Sequence, residues 1–248
     1  MTGNDPVYLR VVEELRGQIV DGTLPPGAPI PSRAQLTQRF RVGETAARHA
    51  LRVLAAEGLI IGKVGSGHYV REKSVLYPLQ RSRHVDHDIP FAADMQAGGH
   101  RATWDWRSEH AKAGREIAGR LHLAESAAVT RTRYVFRTDG RPMQLATSYE
   151  PAELSRAQPP AEEGTNGNGR KGLLARMSAA GMRVTDIRES VHTRVPQPTE
   201  SDLLGLPTGV HVLHIERTHW SGDRPVETSD IVVPGDRFRL VYSVSPNP

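Results

Sequence analysis

No cysteine occurs among the 248 residues. Disulfides, thiolate zinc sites, iron–sulfur clusters and cysteine nucleophiles are excluded together, and a cytoplasmic location is expected. The opening Met1-Thr2-Gly3-Asn4-Asp5-Pro6 lacks the charged-then-apolar pattern of a signal segment. No apolar run approaches the roughly 20 residues that a membrane helix needs, so no membrane partner is expected. Neither sign of charge dominates: the formal net charge is +4, with charged residues at 24% and hydrophobic residues at 38%. That balance supplies material for packed cores without the charge excess of disordered chains, and the length fits two domains.

What is present is unevenly placed. From Arg33 to Arg52 the chain carries five arginines (Arg33, Arg39, Arg41, Arg48, Arg52) against one acid, Glu44. Such a concentration suits a polyanionic partner. Val7, Val11, Val12, Leu15 and Ile19 at helical spacing predict a helix to about Asp21-Gly22, which Pro25, Pro26 and Pro29 cannot continue. Ser32 stands to cap a second helix bearing Leu36 and Phe40, and Arg41-Val42-Gly43 turns into a third. The third helix, Glu44 to Glu57, turns Ala47, Leu51 and Leu54 to the core and stops at Gly58. Two short strands, Leu59-Ile60-Ile61 and Tyr69-Val70, flank a glycine-rich turn from Gly62 to His68.

That order is a winged helix-turn-helix, whose last helix fits the major groove while the hairpin reaches phosphates or the minor groove. Thr45 and Arg48 lie on the exposed side of the third helix. Bidentate arginine to guanine is the commonest specific base contact, which puts Arg48 first. Arg33, Lys63, Ser66 and His68, with the backbone amides of Gly65 and Gly67, suit contacts that position rather than specify, and Arg52 is a further candidate for DNA binding. Glu44 either reads a cytosine amino group or caps the helix. Two alternatives are a helical protein-binding module and a nucleotide-binding loop. Against the loop, Gly65-Ser66-Gly67 lacks the third glycine and following helix of a phosphate cradle.

Gly22-Thr23-Leu24-Pro25-Pro26-Gly27, Pro31-Ser32-Arg33, the run from Arg48 to Ile60 and Gly65-Ser66-Gly67-His68-Tyr69-Val70 resemble the GntR family of bacterial regulators in order and spacing. The resemblance implies double-stranded operator DNA as a partner. Arg33 stands one place earlier than the family's usual arginine and Glu44 replaces another, so an operator sequence does not carry over.

Residues 1–72 form this head, 73–90 read as a linker with one strand around Val75–Leu79, and 91–248 form the second domain. From about Glu109 the chain repeats at an offset of 83 residues: Leu121 with Leu204, Leu123 with Leu206, Val129 with Val212, Arg141 with Arg224, Pro142 with Pro225, Pro151 with Pro234. Each copy reads as a helix (Ala111–Leu121; Glu200–Leu204, capped by Thr199) followed by two strands around a polar turn. The duplication predicts an α+β domain, a pseudo-symmetric antiparallel sheet with helices on one side. Ser155 to Lys171 is rich in breakers and reads as a mobile loop; Leu173–Ala180 reads as a helix and Val184–Val195 as a strand.

Leu123-Ala124-Glu125-Ser126, Asp139-Gly140-Arg141-Pro142, Thr147-Ser148-Tyr149-Glu150-Pro151 and Gly235-Asp236-Arg237-Phe238 resemble the UTRA domain of the HutC subfamily. The resemblance implies a chorismate lyase-like fold that binds a small effector, with Arg131, Arg133, Ser148, Tyr149, Glu227 and Ser229 lining the pocket. Arg131 and Arg133, two apart on a strand, share one face opposite Thr132, Tyr134 and Phe136. Two guanidiniums suit a carboxylate, sulfate or phosphorylated sugar; the alternative is a surface strand paired by salt bridges, for instance through Glu216.

The expected function is transcriptional repression by a homodimer on a pseudo-palindromic operator, released by an anionic effector. Two rivals stand beside it: an effector-blind repressor whose second domain only dimerises, and a chorismate lyase-like enzyme. No nucleophile–base constellation supports the enzyme. No cofactor or metal is expected either: His84 and His87 lie on a polar loop, and among His211, His214 and His219 the first two point to opposite sheet faces.

Overall fold

The computed structural model describes residues 6–63, 65–72, 75–81, 89–157, 163–164 and 172–244. The chain divides into two compact units, Met1–Val75 with Leu206–Val210, and Leu76–Gly205 with His211–Pro248.

In the first unit, α1 (Val7–Val20) follows Pro6 and buries Val11, Val12 and Leu15. α2 (Arg33–Phe40) starts at Ser32, whose hydroxyl accepts from the Gln35 amide while the Gln35 side chain accepts from the Ser32 amide at 2.8 Å. This reciprocal cap satisfies two backbone donors that the first turn would leave without partners. Arg41 leaves α2 at φ 51, and α3 (Glu44–Ala56) turns Ala47, Ala50, Leu51 and Leu54 inward. The hairpin of β1 (Ile60–Lys63) and β2 (Gly67–Val70) pairs Ile60 with Val70 and Lys63 with Gly67. Leu15, Leu36, Leu54 and Ile60 meet in one fully buried core, each stabilising the fold by roughly 1.5–3 kcal/mol.

Leu206–Val210 joins this unit by two close fits. Arg71 Nη2 donates to the Thr208 carbonyl at 2.8 Å. Gly209 sits at φ +83, where a Cβ would lie 2.3 Å from the Ala55 carbonyl oxygen and 2.9 Å from that of Ala56. Those atoms are backbone at the end of α3 and cannot swing aside. Gly209→Ala is therefore expected to cost about 3 kcal/mol or more, from left-handed strain together with overpacking. Thermal unfolding checks it; an unchanged melting temperature would mean that this segment is detached in solution.

The second unit begins inside the stretch read as linker, with β3 (Tyr77–Gln80), then α4 (Pro90–Ala97), β4 (Ala102–Lys112), α5 (Gly114–Leu121), β5 (Ala128–Thr138) and β6 (Arg141–Pro151). It continues through α6 (Ala152–Ala157), β7 (Glu163–Gly164), α7 (Leu173–Ala179), β8 (Asp186–Arg194), α8 (Pro198–Leu204), β9 (Val212–Ser221), β10 (Arg224–Pro234) and β11 (Phe238–Val241). Seven strands form an antiparallel sheet in the order β7-β4-β5-β6-β10-β9-β8, and β3 pairs with β11 in parallel.

The duplication is visible in this order. At the offset of 83, β5 and β6 become β9 and β10, β4 becomes β8, and α5 becomes α8. Thr147 and Asp230, equivalent at that offset, are each other's partners across β6 and β10, so the pseudo-twofold axis passes between them. The helices exchange: α5 lies on β10 and α8 on β6.

Several expectations need correction. The first copy's helix starts at Gly114, not Ala111, because β4 continues through Lys112. The second copy's helix is capped by Gln197 with Glu200, since Pro198 occupies the first turn. Coverage is on both faces: α5 and α8 lie against one, while α4, α7 and β3 line a cavity on the other. In the predicted loop, Ser155 belongs to α6 and Glu163–Gly164 pair with β4. Residues 158–162 and 165–171 of that loop, with His84 and His87, lie outside the described residues.

Candidate nucleic-acid interface and ligand cavity

α3 offers its polar stripe opposite the buried one. Thr45, Arg48 and Arg52, spaced at three and four residues, are all exposed. Together with Arg33, Ser66, Gly67 and His68 from the start of α2 and the hairpin, Arg48 and Arg52 line one concave surface. Glu44, Thr45, Lys63 and Gly65 do not line it. Glu44 instead meets Arg33, Nη1 to Oε1 at 3.4 Å with both side chains more than half exposed; such a pair contributes little and breaks readily. Among the described residues Arg48 and Arg52 form no ion pair, so an incoming phosphate or guanine need displace no internal partner. Lys63 Nζ stands 4.5 Å from the centroid of the Tyr69 ring, and the Tyr69 hydroxyl meets Ser66 Oγ at 2.6 Å. The ring thus holds the hairpin lysine at its tip. Lys63→Ala is expected to weaken DNA binding alike for all sequences and to flatten the salt slope by about one unit for each lysine removed. Anisotropy titrations at several salt concentrations measure both.

The second unit has a cavity of about 140 Å³ between one sheet face and α4, α7 and β3. Strand alternation decides what enters it. Tyr134 and Phe136 of β5, Gln144, Ala146 and Ser148 of β6, Ser229 and Ile231 of β10, and Arg217 and His219 of β9 face inward. Ser148 and Ser229 are register partners on its floor, and Phe91 and Leu79 contribute to its apolar wall.

Most of its charges are arranged in buried pairs, while Asp94 accepts from the Gln80 amide at 3.0 Å. Arg176 binds Glu150 by two hydrogen bonds, at 2.8 and 2.5 Å, and Glu150 is 1% exposed. His219 Nδ1 lies 2.6 Å from Glu227 Oε2. Arg217 Nε donates to Glu189 Oε1 at 2.5 Å, and Arg81 binds the same carboxylate through both Nε and Nη2. Two guanidiniums therefore share the Glu189 carboxylate, and Glu227 also favours the charge of Arg217. Burial opposes the charge of Glu189, but Arg217 and Arg81 outweigh it and hold the carboxyl below its ordinary range. For Arg217, burial and then the like charge of Arg81 push its pKa down. An anionic group placed there relieves that repulsion.

Of the six residues expected at the pocket, Ser148, Glu227 and Ser229 line the cavity. Arg131, Arg133 and Tyr149 do not. They occupy the opposite parity of the same strands, and both arginines reach Glu109 at 2.8 Å. Tyr149 packs with Ile117, Leu121 and Val129 beneath α5. The salt-bridged strand weighed against the pocket is what forms, with Glu109 rather than Glu216 as the acid. The arginines that do line the cavity, Arg81, Arg176 and Arg217, come from three separate segments. The available signal was the apolar pair Tyr134 and Phe136, which marked the covered face of β5.

Residues 7–70 match the family described as bacterial regulatory proteins, gntR family, and residues 98–239 match the UTRA domain. The chain is 28% identical over 243 residues to the histidine utilization repressor of Pseudomonas putida, covering 96% of this chain and 92% of that one. It is 23% identical to the HTH-type transcriptional repressor NagR of Bacillus subtilis, at 96% and 94% coverage. A crystallised GntR-family transcriptional regulator aligns with a TM-score of 0.74 and 40% identity, over 98% of this chain and 99% of that one. No helix among the described residues is long and apolar enough to cross a membrane. A winged helix-turn-helix with exposed arginines on α3, followed by a duplicated antiparallel sheet, thus agrees with these matches over nearly the whole chain, which belongs to the gntR family of bacterial regulatory proteins and carries a UTRA domain.

Proposed function

We propose that the protein is a cytoplasmic transcriptional repressor that binds a pseudo-palindromic operator as a homodimer and is released by a small effector seated in the second-unit cavity. The repressing direction follows relatives named as repressors. The observation that carries the reading is the pairing of features within one chain: exposed arginines on α3 with no ion-pair partner among the described residues, and a cavity lined by Arg81, Arg176 and Arg217. The effector has an anionic group for Arg217 and Arg81, a flat apolar part for Tyr134, Phe136 and Phe91, and polar atoms for Ser148 and Ser229. Emptying a nearly filled operator requires about 5 kcal/mol of difference between the effector's affinities for the two states.

Fluorescence anisotropy tests this with DNA from upstream of the protein's own coding region and scrambled DNA as competitor, followed by a panel of aromatic carboxylates and sugar phosphates. The reading expects selective binding that weakens steeply with salt, released by a panel member in the wild type but not in Ser229→Val. No preference over scrambled DNA overturns the regulator. Selective binding with no ligand bound calorimetrically across the panel overturns the effector.

A further inference from the structure

The sequence makes His211, His214 and His219 a poor metal set, but folding gives His214 a different neighbour. His192 of edge strand β8 is its register partner across β9. The two rings stand edge to face at 4.8 Å between centroids, with His214 Nδ1 and His192 Nε2 3.3 Å apart. Glu216, two residues on, shares their sheet face, and one ligand atom from each of the three residues lies within 4.8 Å of the others. This face is the one opposite the ligand cavity, so the cluster is separate from the site described above.

We propose that His192, His214 and Glu216 form a divalent transition-metal site, suited to zinc. Two imidazole nitrogens bound at about 2.05 Å in a tetrahedral shell lie about 3.3 Å apart, the separation these rings already have. Behind them is a supporting carboxylate: His214 Nε2 lies 3.3 Å from Asp230 Oδ1, and Arg120 holds both oxygens of Asp230 at 3.0 and 3.1 Å. Accepting from Nε2–H, Asp230 sets the tautomer that leaves the Nδ1 lone pair aimed at His192, the arrangement that orients a metal-binding histidine. In the metal-free form His192 Nε2–H donates to His214 Nδ1; on metal binding His192 takes its other tautomer, with the proton on Nδ1, so both rings bind as neutral imidazoles. Glu216 reaches the ion by side-chain rotation, and water completes the fourth position. The ion ties β8, the open edge of the sheet, to β9.

Tag-free full-length protein, stripped with chelator, is titrated with zinc sulfate by calorimetry and with cobalt(II) by visible absorption. The expected result is one zinc per chain and the intense bands of four-coordinate cobalt. His192→Ala and Glu216→Gln each weaken zinc binding at least tenfold, and Asp230→Asn, through His214, weakens it about 10- to 100-fold. His192 is exposed, so its alanine variant keeps the wild-type unfolding temperature in chelator. Absence of zinc binding at 1 mM overturns the site, as does binding that His192→Ala leaves within tenfold of wild type.

Discussion

Arg48→Ala is expected to remove sequence-selective operator binding while leaving the fold intact. The side chain is exposed on α3 and has no ion-pair partner among the described residues, so its removal opens no cavity and orphans no charge. A bidentate contact from arginine to guanine discriminates by about 1–3 kcal/mol. In the proposed dimer, with one copy in each half-site, the loss doubles, to roughly 30-fold at the low end and 10⁴-fold at the high end. Anisotropy against operator and scrambled DNA measures it, with circular dichroism as the check on folding. Equal loss on both DNAs would make Arg48 a phosphate contact and pass the reading role to Thr45 or Arg52.

Arg176→Met should have the largest effect on stability, because it strands Glu150. That carboxylate is 1% exposed, and without Arg176 the side chain nearest to it by hydrogen bonding is Ser155, whose Oγ donates at 3.4 Å. Removing one partner of a buried pair costs about 3–5 kcal/mol. In a chain of this size that lowers the melting temperature by about 10 °C. The pair itself need not stabilise by that amount. Replacing both partners, Glu150→Leu with Arg176→Met, should recover most of the loss, since the desolvation penalty of the ion pair then disappears along with its attraction. A double variant as unstable as the single one would show that the pair is required for packing around α7 and not only for charge balance.

The head was legible because its signals are local. Ser32 caps a helix that starts one residue later, and Ala47, Leu51 and Leu54 report their common face through helical spacing alone. The hairpin was placed by its glycines. In the second domain the offset of 83 residues was enough to predict the duplicated sheet, and the strands obey it almost residue for residue. The helix at Ala111 failed because apolar and charged residues before Gly114 fit either a helix or a strand, and pairing with β5 over the whole of β4 decided the matter.

The sequence by itself determined that the head is a winged helix-turn-helix with α3 as its third helix, that two homologous halves build one antiparallel sheet, and that Arg131 and Arg133 share a face. It could not determine which face. A strand shows its two sides equally, and the choice between them rests on what the rest of the chain lays over each: α5 above Tyr149 on one side, and α4, α7 and β3 above Tyr134 and Phe136 on the other. That coverage, set by contacts between residues far apart in the chain, took the cavity's cations from Arg81, Arg176 and Arg217 instead. Cross-strand pairing likewise brought His192 to His214, because register is fixed by burying whole strands and not by the residues immediately around either histidine.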